Sequence, residues 1–260
     1  MTNTLLSADA VPDIIVPFTM DDGLACRAAI GLIVLATDQT LEHEWRQILS
    51  QAGVAFFEAR LANSPDIGPE SLALMEKDIA AATALILPGL PLHVVAFGCT
   101  SGAIVIGEDS VFERIHEARP GVGCTTPITA AVAALRALEA NRIALLTPYV
   151  ASVNALFKRH IQASGIDVAN VTTFNHSNDH EVARIDRASL LSAIRSCGSS
   201  DDVDAVFVSC TSLRMVDLIQ EAEEVIGKPV ISSNCSMAWH ALRLAGVTDV
   251  QPEFGTLFTL

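Results

Sequence analysis

The chain has 260 residues, of which half are apolar and 18% are charged, and its formal net charge is −14. This length allows one large or two small domains, and a core built from Ala, Val, Ile and Leu rather than aromatic residues is typical of parallel sheets covered by helices. The negative charge disfavours nucleic acid and anionic membranes as partners, and no apolar run predicts a transmembrane span.

The first 28 residues predict an irregular arm, because Pro12, Pro17 and Gly23 interrupt it. Acidic residues precede the first basic residue, Arg27, so no signal peptide is expected. The six cysteines include no C-x-x-C pair, which argues against a disulfide framework and against a zinc site. Cysteine usage of this kind favours a reducing, cytoplasmic location.

From Ala29 onward, short apolar strands alternate with amphipathic helices. The predicted strands are 30–36, 54–59, 93–98 and 120–124, then 142–147, 166–173, 203–208 and 229–233. The predicted helices are 40–51, 70–86, 102–117, 127–140, 150–163, 187–197, 212–226 and 236–245. This alternation requires right-handed crossovers and predicts an α/β fold with two flavodoxin-like, four-stranded parallel sheets.

One short sequence occurs twice. Cys99-Thr100-Ser101 follows the apolar run 94–97, and Cys210-Thr211-Ser212 follows the run 205–208, a spacing of 111 residues. The same spacing separates two further pairs: Cys124 and Cys235, and Asp38 and Tyr149. A constant spacing predicts two similar halves, related by a pseudo-twofold axis, with a cleft between them. The predicted domains are 1–126 with 236–260, and 127–235.

The two Cys-Thr-Ser sequences follow strands at the edge where parallel α/β sheets bind ligands. Each is predicted to open a helix, whose free N–H groups and positive dipole end favour a carboxylate. The same setting lowers the pKa of a cysteine and favours the thiolate. Two such units facing each other would place one sulfur on each side of a bound carbon.

For a lone cysteine, a buried packing role is the simpler interpretation. We assign this role to the other four cysteines: Cys26, Cys124, Cys197 and Cys235. The duplication and the shared Thr-Ser context favour a catalytic role for Cys99 and Cys210.

At these residues the chain resembles the aspartate/glutamate racemase superfamily. Within it, the chain is most similar to the branch of maleate isomerase, arylmalonate decarboxylase and the ectoine-utilisation racemase-like proteins. The resemblance covers about residues 29–250 and rests on Gly98-Cys99-Thr100-Ser101-Gly102, Thr147-Pro148-Tyr149, Val182-Ala183-Arg184-Ile185, Ser209-Cys210-Thr211-Ser212-Leu213, and Ser233-Asn234 ahead of Ala241-Leu242.

The resemblance implies chemistry without a cofactor, in which Cys99 and Cys210 act as a thiol pair on a small carboxylate substrate. Only the second cysteine is present in the decarboxylase, so both cysteines together favour an isomerase or racemase. The resemblance also implies a set of substrate-binding residues: Thr100, Ser101, Tyr149, Thr211 and Ser212. Helix capping and aromatic packing are their alternative roles. Oligomers are common in the branch, and a homo-oligomer is therefore expected.

Two departures from the maleate isomerase pattern bear on the substrate. Ala36-Thr37-Asp38-Gln39-Thr40 replaces a Ser-Ser-Asn loop, and Asn178-Asp179-His180 offers no clean match to an expected Asn. Asp38 would repel a dicarboxylate but could pair with an ammonium or amidinium group, whereas its alternative role is a helix cap. Both departures favour the ectoine-utilisation group, whose substrates carry nitrogen as well as carboxylate. His180, in the same loop as the second departure, is a further candidate substrate contact.

Two rival functions remain open at this point. A decarboxylase or lyase on the same scaffold would need only Cys210. A non-catalytic small-molecule binding module would also have two α/β lobes around a cleft.

Overall fold

Each half of the chain forms a four-stranded, all-parallel sheet in the computed structural model, which describes residues 14–260. The strands are β1 Ala28–Leu35, β2 Val54–Leu61, β3 Val94–Gly98, β4 Gly123–Thr125, β5 Arg142–Thr147, β6 Asp167–Thr173, β7 Ala205–Val208 and β8 Val230–Ser232. The sheet orders are β2-β1-β3-β4 and β6-β5-β7-β8. The two halves therefore share one topology, and the predicted pair of parallel α/β sheets is confirmed.

Helices connect the strands within each sheet. They are α1 Leu41–Ile48, α2 Pro69–Ala73, α3 Glu76–Leu85, α4 Thr100–Ile106, α5 Glu108–Ala118, α6 Pro127–Ala137, α7 Ala151–Ala163, α8 Asp179–Val182, α9 Arg187–Gly198, α10 Ile219–Ile226 and α11 Ser233–Leu244, followed by 3-10 turns at Pro252–Phe254 and Thr256–Thr259. The predicted helix 70–86 is two helices, and 102–117 divides at Gly107, whose φ of +94° interrupts a right-handed helix.

Three of the central strands, β1, β3 and β7, lie wholly in the core, which is why they read as apolar runs rather than as alternating patterns. All eight residues of β1 are buried, as are all residues of β3 and β7. Gly98 ends β3 under α1: an added Cβ would stand 2.5 Å from the Leu41 side chain and 2.8 Å from the Ile33 carbonyl oxygen. Glycine at this position therefore lets α1 approach the strand that leads to Cys99.

The two halves interlock through α6 and α11, which pack on each other. Helix α6 follows the first sheet and contacts β8, whereas α11 follows the second sheet and contacts β3, β4 and α1. The proposed domain division, in which 236–260 returns to the first half, stays a prediction.

Not every sequence landmark matches a structural equivalence. Cys124 lies within β4, whereas Cys235 is the third residue of α11. Their spacing of 111 residues is therefore a coincidence, unlike that of Cys99 and Cys210, which follow the equivalent strands β3 and β7. Cys197 is buried as predicted, but the packing role predicted for Cys26 is wrong because this residue is exposed.

The predicted arm is described only in part, since residues 1–13 lie outside the described residues. From Ile14 to Arg27 it forms no regular structure, and β1 begins at Ala28, two residues earlier than predicted. Within the described part of the chain, no helix has both the length and the apolar character needed to cross a bilayer.

Candidate active site

A cavity lies between the two halves, beyond the carboxyl ends of β1 and β3 in one sheet and of β5 and β7 in the other. Cys99 lines it from the first half and Cys210 from the second. Only about 20 Å³ of it can be reached by the centre of a water molecule. The cavity is therefore nearly closed, with room for little more than a bound water.

A covering segment, residues 62–75, closes one side of the cavity. Ile67 and Met75 from this segment line the cavity wall. The Ile67 N–H donates to the Ser177 carbonyl oxygen at 2.8 Å, and the Asp179 N–H donates to the Pro65 carbonyl oxygen at 3.0 Å. These two bonds join the covering segment to the opposite half.

Cys99 stands at the N-terminus of α4, as predicted. Its sulfur accepts the Gly102 N–H at 3.2 Å, and an added Cβ on Gly102 would stand 2.8 Å from this sulfur. Glycine at position 102 therefore admits the close approach of the sulfur to the helix N-terminus. The residue is buried, with 4% of its surface exposed.

Cys210 has a different local structure. It follows β7 with φ of +139°, a conformation that favours glycine, and its N–H donates to the Ser233 hydroxyl at 3.0 Å. The prediction that Thr211-Ser212 opens a helix is wrong, because α10 begins only at Ile219. The intervening N–H groups of Met215 and Val216 bind the Glu44 carboxylate instead of carbonyl groups one turn back.

Both thiols are protonated at neutral pH. Burial, together with the nearby negative charge of Asp179, raises the pKa of Cys99 to about 12 and the pKa of Cys210 to about 12. The Gly102 N–H at Cys99, and the Tyr149 hydroxyl and Ser212 N–H at Cys210, act in the opposite direction. The prediction of a lowered cysteine pKa is therefore wrong, because desolvation outweighs these donors.

Tyr149 lies in the cavity wall beside Cys210. Its ring stacks on Phe157 with 5.0 Å between the ring centres, and its nearby hydroxyl lowers the pKa of the Cys210 thiol as a hydrogen-bond donor. The Asn154 side chain, which donates to the Tyr149 carbonyl oxygen at 2.8 Å, fixes the backbone here. Tyr149 thus combines a packing role with a polar contact to one of the two thiols.

The four predicted hydroxyl residues differ in their surroundings. Thr100, Ser101 and Thr211 line the cavity, whereas Ser212 is buried outside its lining. The Thr100 hydroxyl bonds the Ser233 hydroxyl at 2.9 Å, and that same Ser233 hydroxyl accepts the Cys210 N–H. One serine therefore connects the segments that carry the two cysteines.

Asp38 is buried and is not among the residues that line the cavity. Its Oδ1 accepts the N–H groups of Thr40 and Leu41, both at 2.7 Å, so it caps α1. Its Oδ2 is buried without a partner among the described residues, and burial raises the pKa of the carboxyl group. The proposed contact of Asp38 with substrate stays a prediction.

His180 is exposed, and its Nδ1 pairs with the Gln39 side chain at 2.9 Å, so the structure does not bring it to the cavity lining. Its predicted role as a substrate contact likewise stays a prediction.

Sequence reasoning missed two polar residues of the cavity, Asp179 and Asn63. The Oδ2 of Asp179 accepts the Thr37 hydroxyl at 2.7 Å, and the Asn63 side chain donates to that hydroxyl at 2.8 Å. Burial raises the pKa of the Asp179 carboxyl group. The segment Asn178-Asp179-His180, which offers no clean match to the expected Asn, was the available signal, but it did not reveal that Asp179 lines the cavity.

We expect Tyr149→Phe to slow the alkylation of Cys210 by iodoacetamide about threefold to tenfold at pH 8, because a lost hydrogen-bond donor raises the thiol pKa. Site-resolved mass spectrometry would measure this rate. Cys99 in the same molecule is the control and should react at its original rate. Equal slowing of both cysteines would contradict the contact.

Comparison with known proteins gives a consistent result. A family model described as arylmalonate decarboxylase matches residues 30–258. The arylmalonate decarboxylase of Bordetella bronchiseptica is 34% identical over 140 residues, 53% of this chain and 58% of that protein. The maleate isomerase of Nocardia farcinica is 28% identical over 238 residues, 88% of this chain and 94% of that protein.

Solved structures show the same relationship. The maleate isomerase Iso of Pseudomonas putida superposes with a TM-score of 0.82 at 25% identity, covering 89% of this chain and 98% of that one. A cysteine-to-serine mutant of the Nocardia farcinica maleate cis-trans isomerase, with a covalently bound succinylcysteine intermediate, also superposes with a TM-score of 0.82, at 26% identity and with the same coverage. The resemblance stated from the sequence is confirmed.

Proposed function

Because the chain belongs to the arylmalonate decarboxylase family, we propose that it is a cofactor-independent isomerase acting beside a carboxylate of a small acid through Cys99 and Cys210. The observation that carries the proposal is that one thiol from each half lines the same cavity. A decarboxylase that only protonates an intermediate needs one thiol, whereas an isomerase uses a second one.

Two routes use a thiol pair without any net redox change. In racemisation or epimerisation, one thiolate removes the α-proton, an enediolate forms, and the opposite thiol returns a proton to the other face. In cis–trans isomerisation, one thiolate adds to the double bond and the second thiol gives its proton to the neighbouring carbon. The resulting single bond rotates, the second sulfur takes a proton back, and the first thiolate leaves as the double bond forms again. The succinylcysteine in the Nocardia farcinica mutant supports addition of this kind in a relative.

Backbone and hydroxyl donors would hold the substrate carboxylate. Thr100 and Ser101 form the first turn of α4, where free N–H groups point toward the cavity end of the helix, and Thr211 contributes from the other half. Donors fixed in a dry cavity stabilise the charge that an enediolate gathers on the carboxylate oxygens.

We further propose that the substrate carries a cationic nitrogen, as in the ectoine-utilisation group. Asp179 lines the cavity and Asp38 is buried outside its lining, whereas no Arg, Lys or His is among the described residues that line it. The second carboxylate of a dicarboxylate would meet Asp179 and be repelled. An ammonium or amidinium group would pair with Asp179 instead.

A cationic substrate would also help to ionise the thiols. The charge of Asp179 raises the pKa of both Cys99 and Cys210, so neutralising this charge lowers both values toward the operating pH. The two thiols would then become reactive only when the correct substrate occupies the cavity.

The second candidate is a cofactor-free decarboxylase or lyase that uses Cys210 alone. The family model and the Bordetella bronchiseptica relative favour it. For either reaction we propose a cytoplasmic homo-oligomer that acts on a small molecule rather than on nucleic acid or membrane.

The test is incubation of the protein in deuterated water with maleate, both aspartate enantiomers, 2,4-diaminobutyrate and phenylmalonate, followed by NMR. The proposal predicts α-deuterium in an amino acid or conversion of maleate to fumarate. Release of carbon dioxide from phenylmalonate alone would select the decarboxylase. Tight binding of a compound with neither exchange nor turnover would indicate a binding module.

A further inference from the structure

Glu44 is a buried carboxylate that the proposed chemistry does not use. It lies on α1 in the first half, with 1% of its surface exposed. Its Oε1 accepts the N–H groups of Met215 and Val216, the latter at 2.8 Å, and its Oε2 accepts the Asn234 side-chain amide at 2.7 Å. All three donors come from the second half and α11, so the carboxylate ties α1 to the segment that follows Cys210.

Asn234 extends this connection to the residue next to Cys210. Its side-chain nitrogen donates both to Glu44 and to the Thr211 carbonyl oxygen, the second at 2.8 Å. Thr40, on the same side of the interface as Glu44, donates its hydroxyl to the Ser212 carbonyl oxygen at 2.9 Å. Contacts from α1 and α11 therefore fix the backbone on the C-terminal side of Cys210.

The backbone of Cys210 needs such support. A φ of +139° is unfavourable for any residue with a Cβ, and strained conformations persist only where the surroundings hold them. The N–H of Cys210 is held by Ser233, which immediately precedes Asn234 in α11. Loss of the Glu44 contacts would release the backbone on the C-terminal side of Cys210.

We propose that Glu44 is a positioning residue that holds Cys210 in its place opposite Cys99. The kinetic part of this inference rests on the proposed function, whereas the position of the Cys210 sulfur does not depend on it. Glu44 touches neither thiol and acts through Asn234 and the 211–216 segment.

The charge state of Glu44 adds a pH dependence. Burial raises the pKa of this carboxyl group to about 7. The charged and titratable groups around it are Asp38, Cys235, His43, Arg187, Arg214 and Asp217. Below pH 7 the protonated carboxyl group has a hydroxyl that is a weaker acceptor than a carboxylate oxygen and that meets only donors, so the bonds on one side of Glu44 weaken. Cys210 should therefore lose its position as the pH falls.

The test compares the alkylation rates of Cys210 and Cys99 by iodoacetamide, with site-resolved mass spectrometry, between pH 5.5 and 8.5. Both thiols have pKa values of about 12, so thiolate titration cancels in the ratio of the two rates. In the natural protein we expect the ratio of the Cys210 rate to the Cys99 rate to fall as the pH is lowered, with an inflection near pH 7. In Glu44→Gln we expect it to be about fivefold lower at pH 8 and independent of pH, since the amide presents one acceptor and one donor end.

The matched control is Glu58→Gln, because Glu58 also pairs with α1, through Arg46 at 2.7 Å, but lies on β2 at the surface. It should behave like the natural protein. Cys197, which is buried elsewhere, should stay unreactive in every variant and so exclude general unfolding. With a substrate in hand, Glu44→Gln should lower kcat about tenfold to hundredfold with little change in KM, as expected of a displaced reacting group.

An unchanged or increased rate ratio in Glu44→Gln would overturn the inference. A rate ratio in the natural protein that shows no inflection with pH would also overturn it, and this measurement needs no variant. Absence of turnover on every compound would refute the proposed function and leave the alkylation result to decide the role of Glu44.

Discussion

Replacing Cys210 or Cys99 by alanine is expected to lower turnover about a thousandfold or more, while the protein still unfolds cooperatively near its original melting temperature. In the isomerase each sulfur serves one face of the reacting carbon. The donors at Thr100 and Thr211 remain in both variants, but no other thiol lines the cavity among the described residues. No neighbouring group can therefore take over the role of a missing thiol.

The matched control is Cys197→Ala, which makes the same truncation in the core away from the cavity. It should retain turnover. Near-full activity in both cavity variants would contradict the assignment of the thiol pair. Activity retained without Cys99 but lost without Cys210 would select the decarboxylase or lyase.

Asp179→Asn is expected to change which ligands the cavity prefers by about a hundredfold, because it removes a buried charge that attracts cations and repels a second carboxylate. Aspartate and succinate differ only in the ammonium group and form a matched pair of ligands. In the natural protein, aspartate should protect Cys99 from alkylation at lower concentrations than succinate. In Asp179→Asn, succinate should become the better ligand.

The control is Asp167→Asn, which makes the same change at the surface, where Asp167 pairs with Arg142. Its ligand preference should match that of the natural protein. A preference left unchanged by Asp179→Asn would show that Asp179 does not bear the charge that selects the substrate, and the cationic-nitrogen proposal would be withdrawn.

The fold and the cysteine pair could be predicted because both depend on local sequence. Strands buried on both faces read as short apolar runs, and the residues after β3 and β7 lie at the carboxyl-end edges of their two sheets, which the repeat predicted to face each other across a cleft. The duplication around Cys99 and Cys210 then indicated which of the six cysteines share a site.

The remaining features depend on contacts that no local pattern contains. The segment after Cys210 forms turns because Glu44, about 170 residues earlier, binds its N–H groups. Asp179 reaches the cavity because α8 joins the covering segment of the other half. The pKa of a cysteine at a helix N-terminus depends on how completely the fold excludes water, and here exclusion raises it.

The most direct test is to treat the protein with iodoacetate at pH 9 and to measure the mass of the intact protein by mass spectrometry. Cys26 and Cys124, which have exposed surface outside the cavity, would first be replaced by serine. If the two sulfurs share one nearly closed cavity, a carboxymethyl group on either fills it and repels a second anion, so each molecule should carry one label, on Cys99 or on Cys210. Molecules that acquire both labels, the second as fast as the first, would contradict a shared site.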